Sequence, residues 1–311
     1  MILVTGATGF VGRALCTELA ARGLPFRAAS RGERPGCIAV GALDEGTDWS
    51  AALAGVDRVV HLAARVHVMH ETAVDPLAEF RRTNVAGTLR LARQAAAAGV
   101  KRFVFISSIK VNGEETRPGR PFTADDPPSP QDPYGVSKLE AEQALLALGG
   151  ETGMEIVVLR PPLVYGPGVQ ANFRSMLRWV RRGVPLPLGA VRNRRTLVAL
   201  DNLVDLIILC LEHPGAAHQV LLAGDGEDLS TPELLRRVAT ALGTRARLVP
   251  VPPGLLAAAA SLAGQGAVAR RLCGSLQLDL SKTRRLLGWT PRVGIDEALR
   301  KTALDFIQSG G

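Results

Sequence analysis

The sequence predicts an α/β protein in which a doubly wound parallel sheet is joined by a smaller, discontinuous C-terminal lobe. Short β-branched apolar runs alternate with amphipathic helical patterns through the first half of the chain. A glycine-rich turn follows the first run and opens the first helical pattern. After Pro161 the elements shorten and are interrupted by proline, glycine and arginine. Strands that alternate with crossover helices form a parallel sheet, which binds ligands beyond the carboxyl ends of its strands.

The elements of the first half follow from these patterns. Strands are expected at residues 2–6, 26–30, 57–64, 101–108 and 155–161. Helices are expected at 11–23, 83–99 and 134–150, and each ends at a glycine. Residues 196–214 predict one more strand and a helix that return to the main sheet. Ser230 and Glu233 have the spacing of a capping box at the start of a helix over 230–243.

The composition limits the possible partners. Lysine and arginine number 37 and aspartate and glutamate 29, a formal net charge of +8. Because aromatic residues are only 4% and the arginines are scattered, an anionic metabolite is expected as the partner and nucleic acid is not. No signal peptide precedes the first strand, so a cytoplasmic location is expected. The uncharged stretch 250–269 contains three prolines and favours a buried or surface helix around 255–262 over a membrane span.

Metal and disulfide chemistry find little support in the sequence. The four cysteines are far apart and include no C-x-x-C pair, which favours reduced thiols. His67, His70 and Glu71 have a spacing that could mimic metal ligands, but no pattern supplies a further ligand. No metal site is therefore predicted.

The glycine-rich turn predicts a dinucleotide site. Gly6, Gly9 and Gly12 are spaced G-x-x-G-x-x-G between the first strand and the first helix, and Phe10 and Val11 lie within the turn. Such a turn lets the backbone approach a pyrophosphate and points helix N-terminal amides at its charge. We therefore predict a dinucleotide-binding domain and a substrate lobe. The domain comprises residues 1–161 and 195–214, and the lobe comprises residues 162–194 and 215–311.

Ser30 and Arg31 bear on which dinucleotide binds. They stand at the end of the second strand, where an acidic residue would bind the ribose 2′-hydroxyl of NAD. A hydroxyl and a guanidinium suit a 2′-phosphate, so NADP is favoured over NAD. If Arg31 instead stacks on the adenine, the choice between NADP and NAD stays open.

Three residues form a candidate catalytic group. Tyr134 and Lys138 are one helical turn apart on one face of a helix, and Ser108 ends the strand 101–108. An adjacent ammonium group and an oxidised nicotinamide would favour the phenolate of Tyr134 and lower its pKa. The tyrosine could then exchange a proton with a sugar hydroxyl or ketone, while Ser108 hydrogen-bonds the same oxygen.

These motifs together resemble the extended short-chain dehydrogenase/reductases, and within them the NAD-dependent epimerase/dehydratase group that acts on nucleotide sugars. The resemblance implies a Rossmann-type fold and a homodimer. It makes Ser108 the catalytic serine, Tyr134 the acid/base, and Lys138 the residue that binds the ribose and tunes Tyr134. Further motifs that match are "HLAA" (61–64), "TNVAGT" (83–88), "SSIKVNGE" (107–114), "RPPLVYGPG" (160–168) and "LGWTP" (287–291).

The same resemblance assigns binding residues. Leu62, Ala63, Ala64 and Asn84 are expected to join Tyr134 and Lys138 near the cofactor. The expected substrate contacts are Ser107, Ser108, Asn172, Arg195 and Arg271. The proline-rich loop 117–133 is expected to form a wall over the sugar pocket.

The sequence departs from the family pattern at several positions. Dehydratases of the family have Asp–Glu after the catalytic hydroxyl residue, but this chain has Ile109 and Lys110, which argues against a 4,6-dehydratase. Leu163 replaces an asparagine that many members have, so one sugar contact differs. Ala42 stands where many relatives have an aspartate beside the adenine.

Two enzymatic activities fit these residues, and a third, non-enzymatic function is a separate alternative. The favoured one is an NADPH-dependent 4-reductase, because Ser30 and Arg31 favour NADP. Its expected substrate is a UDP-4-keto-6-deoxy-N-acetylhexosamine of surface polysaccharide biosynthesis, because "SSIKVNGE" resembles the segment of reductases that make such sugars. The alternative is a UDP-glucose or UDP-N-acetylglucosamine 4-epimerase with tightly held NAD. A non-catalytic dinucleotide-binding protein is the second alternative, against which the Tyr134–Lys138 pair argues.

Overall fold

A computed structural model of the protein describes residues 1–66, 75–262, 264 and 266–310. Ten strands lie in this described part. They are β1 (Ile2–Thr5), β2 (Phe26–Ser30), β3 (Cys37–Ala39), β4 (Arg58–His61), β5 (Arg102–Ile106), β6 (Glu155–Arg160), β7 (Leu163–Tyr165), β8 (Arg195–Ala199), β9 (Val220–Leu222) and β10 (Asp228–Leu229). Seven of them form one parallel sheet in the order β3-β2-β1-β4-β5-β6-β9, and the other three form a small sheet in the order β10-β8-β7. The predicted doubly wound parallel sheet is confirmed.

Helices cover both faces of the large sheet and build the second lobe. They are α1 (Phe10–Ala21), α2 (Ser50–Leu53), α3 (Pro76–Arg81), α4 (Thr88–Ala97), α5 (Pro133–Thr152), α6 (Ala171–Arg181), α7 (Leu200–Glu212), α8 (Thr231–Ala241), α9 (Pro253–Leu262), α10 (Gly266–Cys273), α11 (Ser281–Leu287) and α12 (Ile295–Gln308). A π-helical turn spans Arg82–Gly87, and 3₁₀ turns span Ile109–Val111 and Pro214–Ala216.

Apolar side chains divide the interior into layers. On one face of the large sheet, α1 and α7 bury residues such as Leu15 and Leu203. On the other face, α2, α4 and α5 bury residues such as Leu91 and Leu145. A separate core, which includes Phe173 of α6, joins α6, α8 and α12 to the small sheet. The strand order reverses between β1 and β4, so a crevice for ligand is expected at the carboxyl ends of these strands.

The strand that was expected at the start of residues 196–214 belongs to a different sheet from the one predicted. The sequence pattern places it in the main sheet, but β8 pairs with β7 and β10 in the small sheet. The seventh strand of the main sheet is β9, which pairs with β6 and falls in the stretch that the sequence assigns to the second lobe. The helix of this pattern, α7, does pack on the main sheet. The domain boundaries themselves stay a prediction.

Two further expectations concern a possible membrane span and a possible metal site. Within the described residues, no helix has the length and apolar content that a membrane span requires. The helix expected around 255–262 is α9. His67, His70 and Glu71, the residues with metal-like spacing, lie outside the described residues.

Candidate active site

The glycine turn connects β1 to α1 at the crevice. A Cβ atom at Gly12 would lie 2.1 Å from the carbonyl oxygen of Gly6, and one at Gly6 would lie 2.7 Å from the nitrogen of Ala63. Gly6 also has a φ of 66°, which favours glycine. Gly9 is the N-cap of α1 and supplies no side-chain cap, so the first amides of α1, at Phe10 and Val11, are free to face a phosphate.

The segment after β4 lies against this turn. The amide of Leu62 donates to the carbonyl of Thr5, and the amide of Ala63 donates to the Thr5 hydroxyl at 3.3 Å. Leu62, Ala63 and Ala64 are all half-buried at this edge. The structure therefore brings the "HLAA" segment and the glycine turn together, as a shared cofactor site requires.

Asn84 fixes the chain that continues from this segment. Its side chain accepts from the amide of Arg65 at 2.8 Å and donates to the Arg65 carbonyl at 3.0 Å. It also donates to the hydroxyl of Ser137 on α5 at 3.0 Å. Asn84 is buried in the π-helical turn, where the sequence predicts an uninterrupted helix. Such turns are frequent at functional sites, and this one ties the cofactor edge to the helix of Tyr134.

Ser30 and Arg31 follow β2 at the same edge of the sheet. The Ser30 hydroxyl is nearly buried and donates to the carbonyl of Gly32 at 2.6 Å. The Arg31 side chain is exposed. The hydroxyl oxygen can still accept a hydrogen bond, but its proton is already used, so Arg31 would supply most of the attraction for a 2′-phosphate.

The two serines after β5 point to different surroundings. Ser107 is buried and donates a short hydrogen bond to the carboxylate of Glu142. Ser108 is half-buried and accepts from the amide of Lys110 at 3.3 Å. The Ser107 hydroxyl is therefore already engaged within the protein, whereas the Ser108 hydroxyl lies closer to solvent, and the substrate contacts predicted for both residues stay predictions.

Tyr134 stands in the first turn of α5. Asp132 caps this helix by accepting from the amide of Gly135 at 2.7 Å, and Pro133 occupies the first position, where no amide is needed. The Tyr134 ring packs edge-on against Phe80 with centroids 6.0 Å apart. Burial, followed by the charge of Asp132, raises the pKa of Tyr134 to about 12. The sequence expectation of a lowered pKa included the positive charge of an oxidised nicotinamide, and with the protein groups alone the cost of burying the phenolate dominates.

Lys138 lies one turn further along α5 and is almost fully buried. Its ammonium group donates to the carbonyl of Ile106 at 2.8 Å and lies 4.4 Å from the centroid of the Phe105 ring and 6.0 Å from that of Tyr134. Burial lowers the pKa of Lys138 to about 7, and the carboxylate of Glu142 opposes this shift. Tyr134 and Lys138 therefore share one face of α5, as the sequence predicts.

A second link holds α5 beside the end of β5. Lys110, in the 3₁₀ turn after Ser108, forms a close ion pair with Asp132 and a second one with Glu114 at 3.2 Å. A Cβ atom at Gly135 would lie 3.0 Å from the Lys110 carbonyl. The segment that follows Ser108 thus packs directly on the first turn of the helix that carries Tyr134.

A buried ion pair supports this region, and sequence reasoning missed it. Glu142 and Arg160 are 2% and 4% exposed, and their side chains meet at 2.5 Å between Nη2 and Oε2. Arg160 also donates to Asn112, whose amide group donates to the carbonyl of Thr123. The sequence signal for this pair is the spacing of Glu142, which follows Lys138 by four residues and therefore lies on the same helical face.

His61 is a second buried polar residue that the sequence did not single out. It ends β4, and its two ring nitrogens are hydrogen-bonded to the hydroxyls of Thr5 at 2.7 Å and Thr88 at 2.9 Å. Burial, followed by the charge of Lys138, lowers the pKa of His61 to about 3. His61 is thus a neutral group that joins β1, β4 and α4 beneath the site.

The second lobe contributes the other predicted substrate residues. Arg195 begins β8 and donates to the carbonyls of Arg271 and Gly274, both at 2.9 Å. The side chains of Asn172, on α6, and Arg271, on α10, are exposed. The structure therefore joins Arg195 to the backbone of Arg271 and Gly274.

The loop 117–133 is anchored to the second lobe. Its Phe122 donates through its amide to the carbonyl of Gln277 and accepts from the amide of Asp279, both at 2.8 Å. The side chain of Lys282 reaches Asp125 at 2.6 Å. This loop connects the segment after Ser108 to Tyr134, so the chain between these two residues is attached to residues 277–282.

The chain is similar to a known protein family and to individual relatives. The model of the NAD dependent epimerase/dehydratase family matches residues 2–224. A UDP-glucose 4-epimerase of Vibrio cholerae is 45% identical over 314 residues, which cover 99% of this chain and 96% of the relative.

Solved structures are similar over the same length. MoeE5 in complex with UDP-glucose and NAD is 28% identical, with a TM-score of 0.78 and coverage of 100% of this chain and 99% of that chain. RMD from Pseudomonas aeruginosa, complexed with NADPH, is 25% identical, with a TM-score of 0.79 and coverage of 99% of both chains. These two solved structures are about equally similar to this chain, and one contains NAD whereas the other contains NADPH.

Proposed function

This chain belongs to the NAD dependent epimerase/dehydratase family, and we propose that it is a UDP-hexose 4-epimerase. The observation that supports this most is the 45% identity to a UDP-glucose 4-epimerase across nearly the full length of both chains. The 4-ketoreductase favoured by Ser30 and Arg31 becomes the second candidate. Ile109 and Lys110, in place of the acidic pair of the dehydratases, argue against a third reaction of the family.

The residues at the carboxyl edge of the sheet fit a dinucleotide. The close approach of Gly12 to Gly6 and of Gly6 to Ala63 leaves no space for a side chain in the turn, and the first amides of α1 have no side-chain cap. These amides would hold the pyrophosphate. When bound, NAD would accept a hydride from C4 of the hexose and return it, and its positive nicotinamide would lower the pKa of the Tyr134 phenol.

Tyr134 is the proposed acid and base. It would take the proton of the sugar 4-hydroxyl as C4 is oxidised and give the proton back as C4 is reduced. With a pKa near 12 from protein groups alone, Tyr134 is protonated in the free protein near neutral pH. Lys138 is buried 6.0 Å from the Tyr134 ring and has a pKa near 7, so a nearby anion would readily draw a proton onto it. Formation of a phenolate would therefore stabilise the ammonium form of Lys138, and the ammonium would stabilise the phenolate.

Ser108 and the second lobe position the sugar nucleotide. The half-buried hydroxyl of Ser108 would donate to the C4 oxygen that Tyr134 deprotonates. We propose Arg195 and Arg271 as contacts of the diphosphate, because guanidinium groups bind phosphate bidentately. Asn172, exposed at the start of α6, would contact the substrate only from the outer side of the pocket. Two copies are proposed to pair through α4 and α5, which the molar mass in solution would test.

The second candidate rests on the Ser30–Arg31 pair. A reductase consumes one NADPH for each ketone, whereas an epimerase regenerates its cofactor in each cycle. An exposed guanidinium beside a strand-end hydroxyl suits the 2′-phosphate of NADPH. If Arg31 stacks on the adenine instead, the pair is equally compatible with NAD.

One experiment separates these functions. Purified protein is incubated with UDP-glucose or UDP-N-acetylglucosamine without added dinucleotide, and the C4 epimer is followed by NMR. A denatured sample is analysed for released NAD or NADP. Epimer formation together with released NAD supports the epimerase. Stoichiometric oxidation of NADPH by a UDP-4-keto-6-deoxy sugar, with no epimer from either UDP-hexose, would replace it with the reductase. Dinucleotide binding without turnover in either assay would leave only the non-catalytic alternative.

A further inference from the structure

The stretch from residue 234 to 278 has an unusual charge. It contains six arginines, namely Arg236, Arg237, Arg245, Arg247, Arg270 and Arg271, and no lysine, aspartate or glutamate. Its formal charge is therefore +6, compared with +8 for the whole chain. The stretch holds no acidic residue, but Arg237 forms ion pairs with Glu227 and Asp296 outside it.

The middle of this stretch is an apolar helix that is largely exposed among the described residues. Helix α9 has 10 residues, of which Ser261 is the one with a polar side chain. Leu262 is 92% exposed and Leu255 is 64% exposed, the two highest values among the large apolar side chains that the structure describes. Val268 of the neighbouring α10 is 46% exposed. A helix that is apolar on all sides is ordinarily buried, so exposure of this kind marks a contact surface.

The apolar and basic residues occur together. Arg245 and Arg247 are exposed on the segment that leads into α9, and Arg270 and Arg271 are exposed at the end of α10, which contacts α9. The pair of helices is attached to the protein through Leu256 and Leu272, which pack against the core of the second lobe. The exposed leucines therefore sit on a fixed element with cations on both flanking segments.

We propose that the α9–α10 pair is a docking surface for an anionic lipid bilayer. Leu255, Leu262 and Val268 would enter the boundary between headgroups and acyl chains, and Arg245, Arg247 and Arg270 would bind lipid phosphates. With 10 residues, α9 is about half the length that crosses a bilayer, so the helix lies on the membrane.

The charge decides between this occupant and a second copy of the chain. Two copies that met through α9 and α10 would bring the exposed Arg245, Arg247 and Arg270 of each copy together, and like charges at an interface oppose association. An anionic membrane satisfies both the apolar side chains and the positive charge. Docking itself does not depend on the proposed catalytic function. If that function holds, docking would place Arg271 and its backbone partner Arg195 close to the lipid surface.

Co-sedimentation with vesicles tests the docking. The full-length protein is mixed with phosphatidylcholine vesicles, with or without roughly a third of the lipid as phosphatidylglycerol, and the pelleted fraction is measured. We expect strong preference for the anionic vesicles and release at high salt. Leu255→Asp with Leu262→Asp should weaken binding at least about tenfold, because both side chains would lose their apolar insertion. Leu304→Asp with Ile307→Asp, at side chains 47% and 45% exposed on α12, is the matched control and should bind normally.

The arginines are tested in the same assay. Arg245→Gln with Arg247→Gln should weaken binding to anionic vesicles. The binding that remains should also depend less on salt, because fewer charged contacts contribute to it. Arg34→Gln with Arg93→Gln removes the same charge from exposed positions elsewhere and should have little effect. Circular dichroism and the melting temperature confirm that each variant is folded.

Three results would overturn the proposal. The first is no sedimentation with anionic vesicles. The second is equal loss in the test and control variants, which would mean that total charge or general polarity decides binding. The third is a fall in molar mass of the Leu255→Asp, Leu262→Asp variant from dimer to monomer in solution, which would make α9 an interface between copies.

Discussion

The ammonium group of Lys138 donates a hydrogen bond to the carbonyl oxygen of Ile106 at 2.8 Å. This bond fixes α5 to the last residue of β5, two residues before Ser108. The ion pair of Lys110 with Asp132 makes a second connection, between the turn after Ser108 and the first turn of α5. Lys138 therefore has a structural part in holding Ser108 and Tyr134 at one edge of the sheet, besides its effect on charge.

Replacement of Tyr134 by phenylalanine should abolish most of the turnover. The variant lacks the phenolic proton carrier, and loss of general acid–base catalysis lowers turnover by at least about a hundredfold. Its ring can still pack against Phe80, so the fold and dinucleotide binding should persist. Turnover of the UDP-hexose, the melting temperature and bound dinucleotide are measured together.

Tyr165, the other tyrosine of the chain, provides the control. Its hydroxyl is buried and donates to Asp225 at 2.9 Å. Tyr165→Phe should lower the free energy of unfolding by about 1–3 kcal/mol and leave turnover per folded molecule near that of the unaltered protein. A Tyr134→Phe variant with normal turnover would remove Tyr134 from its assigned part.

The adjacent serines should respond differently to alanine. Ser108→Ala removes the proposed donor to the C4 oxygen and should lower turnover roughly a hundredfold with little change in stability. Ser107→Ala leaves the buried Glu142 carboxylate without one hydrogen bond, which costs about 1–3 kcal/mol of unfolding free energy. Its turnover per folded molecule should stay normal. The reverse pattern would make Ser107 the substrate contact.

Local patterns in the sequence predicted much of the candidate site. The glycine turn is defined by spacing within one strand–helix unit, and the Tyr134–Lys138 pair by spacing within one helix. Both features depend on neighbours in the chain, so the sequence could place them. The half-buried position of Ser108 follows equally from its place at the end of a buried strand.

Features that depend on distant residues could not be predicted. β8 and β9 are short apolar strands of similar composition, and which of them joins the main sheet depends on pairing with β6 or β7. The shift of the Tyr134 pKa depends on surrounding atoms that come together only in the fold. The π-helical turn at Asn84 likewise follows from hydrogen bonds to Arg65 and Ser137, far apart in sequence.

The buried carboxylate of Glu142 should be essential for stability. Glu142→Gln leaves the Arg160 guanidinium buried without its counter-ion, which costs about 3–5 kcal/mol. The substitution also removes the charge that opposes the lowered pKa of Lys138. Urea unfolding measures the loss. Glu140→Gln, two residues earlier, breaks the exposed pair with Arg81 and should cost no more than about 1 kcal/mol. Equal costs for the two variants would contradict the buried network.

Arg31 should affect the two dinucleotides unequally. If its guanidinium binds a 2′-phosphate, Arg31→Ala should weaken NADPH binding about tenfold or more and leave NADH binding nearly unchanged, because a charged hydrogen bond is lost only with NADPH. Arg34→Ala removes an exposed guanidinium three residues later and is the control. Dissociation constants are measured by nucleotide fluorescence. Equal weakening for both dinucleotides would indicate stacking on the adenine.

His61 should make the fold sensitive to acid. Its pKa is about 3 in the folded protein and 6.5 in a model peptide, so between these values the unfolded chain binds a proton that the folded protein does not. Acidification below pH 6.5 therefore favours unfolding, and above it the His61 contribution is constant.

His61→Gln can still hydrogen-bond Thr5 and Thr88 but does not titrate. Between about pH 4 and 6.5, the unfolding free energy of the variant should therefore fall less steeply with acidification, by about 1.4 kcal/mol per pH unit, than that of the unaltered protein. Urea unfolding at several pH values between 4 and 8 measures both slopes. The slopes of the two proteins should agree between about pH 7 and 8, where the imidazole is neutral in both states. If the unaltered protein and the variant lose stability in parallel down to about pH 4, then His61 is protonated in the folded protein and is not the buried neutral link between β1, β4 and α4.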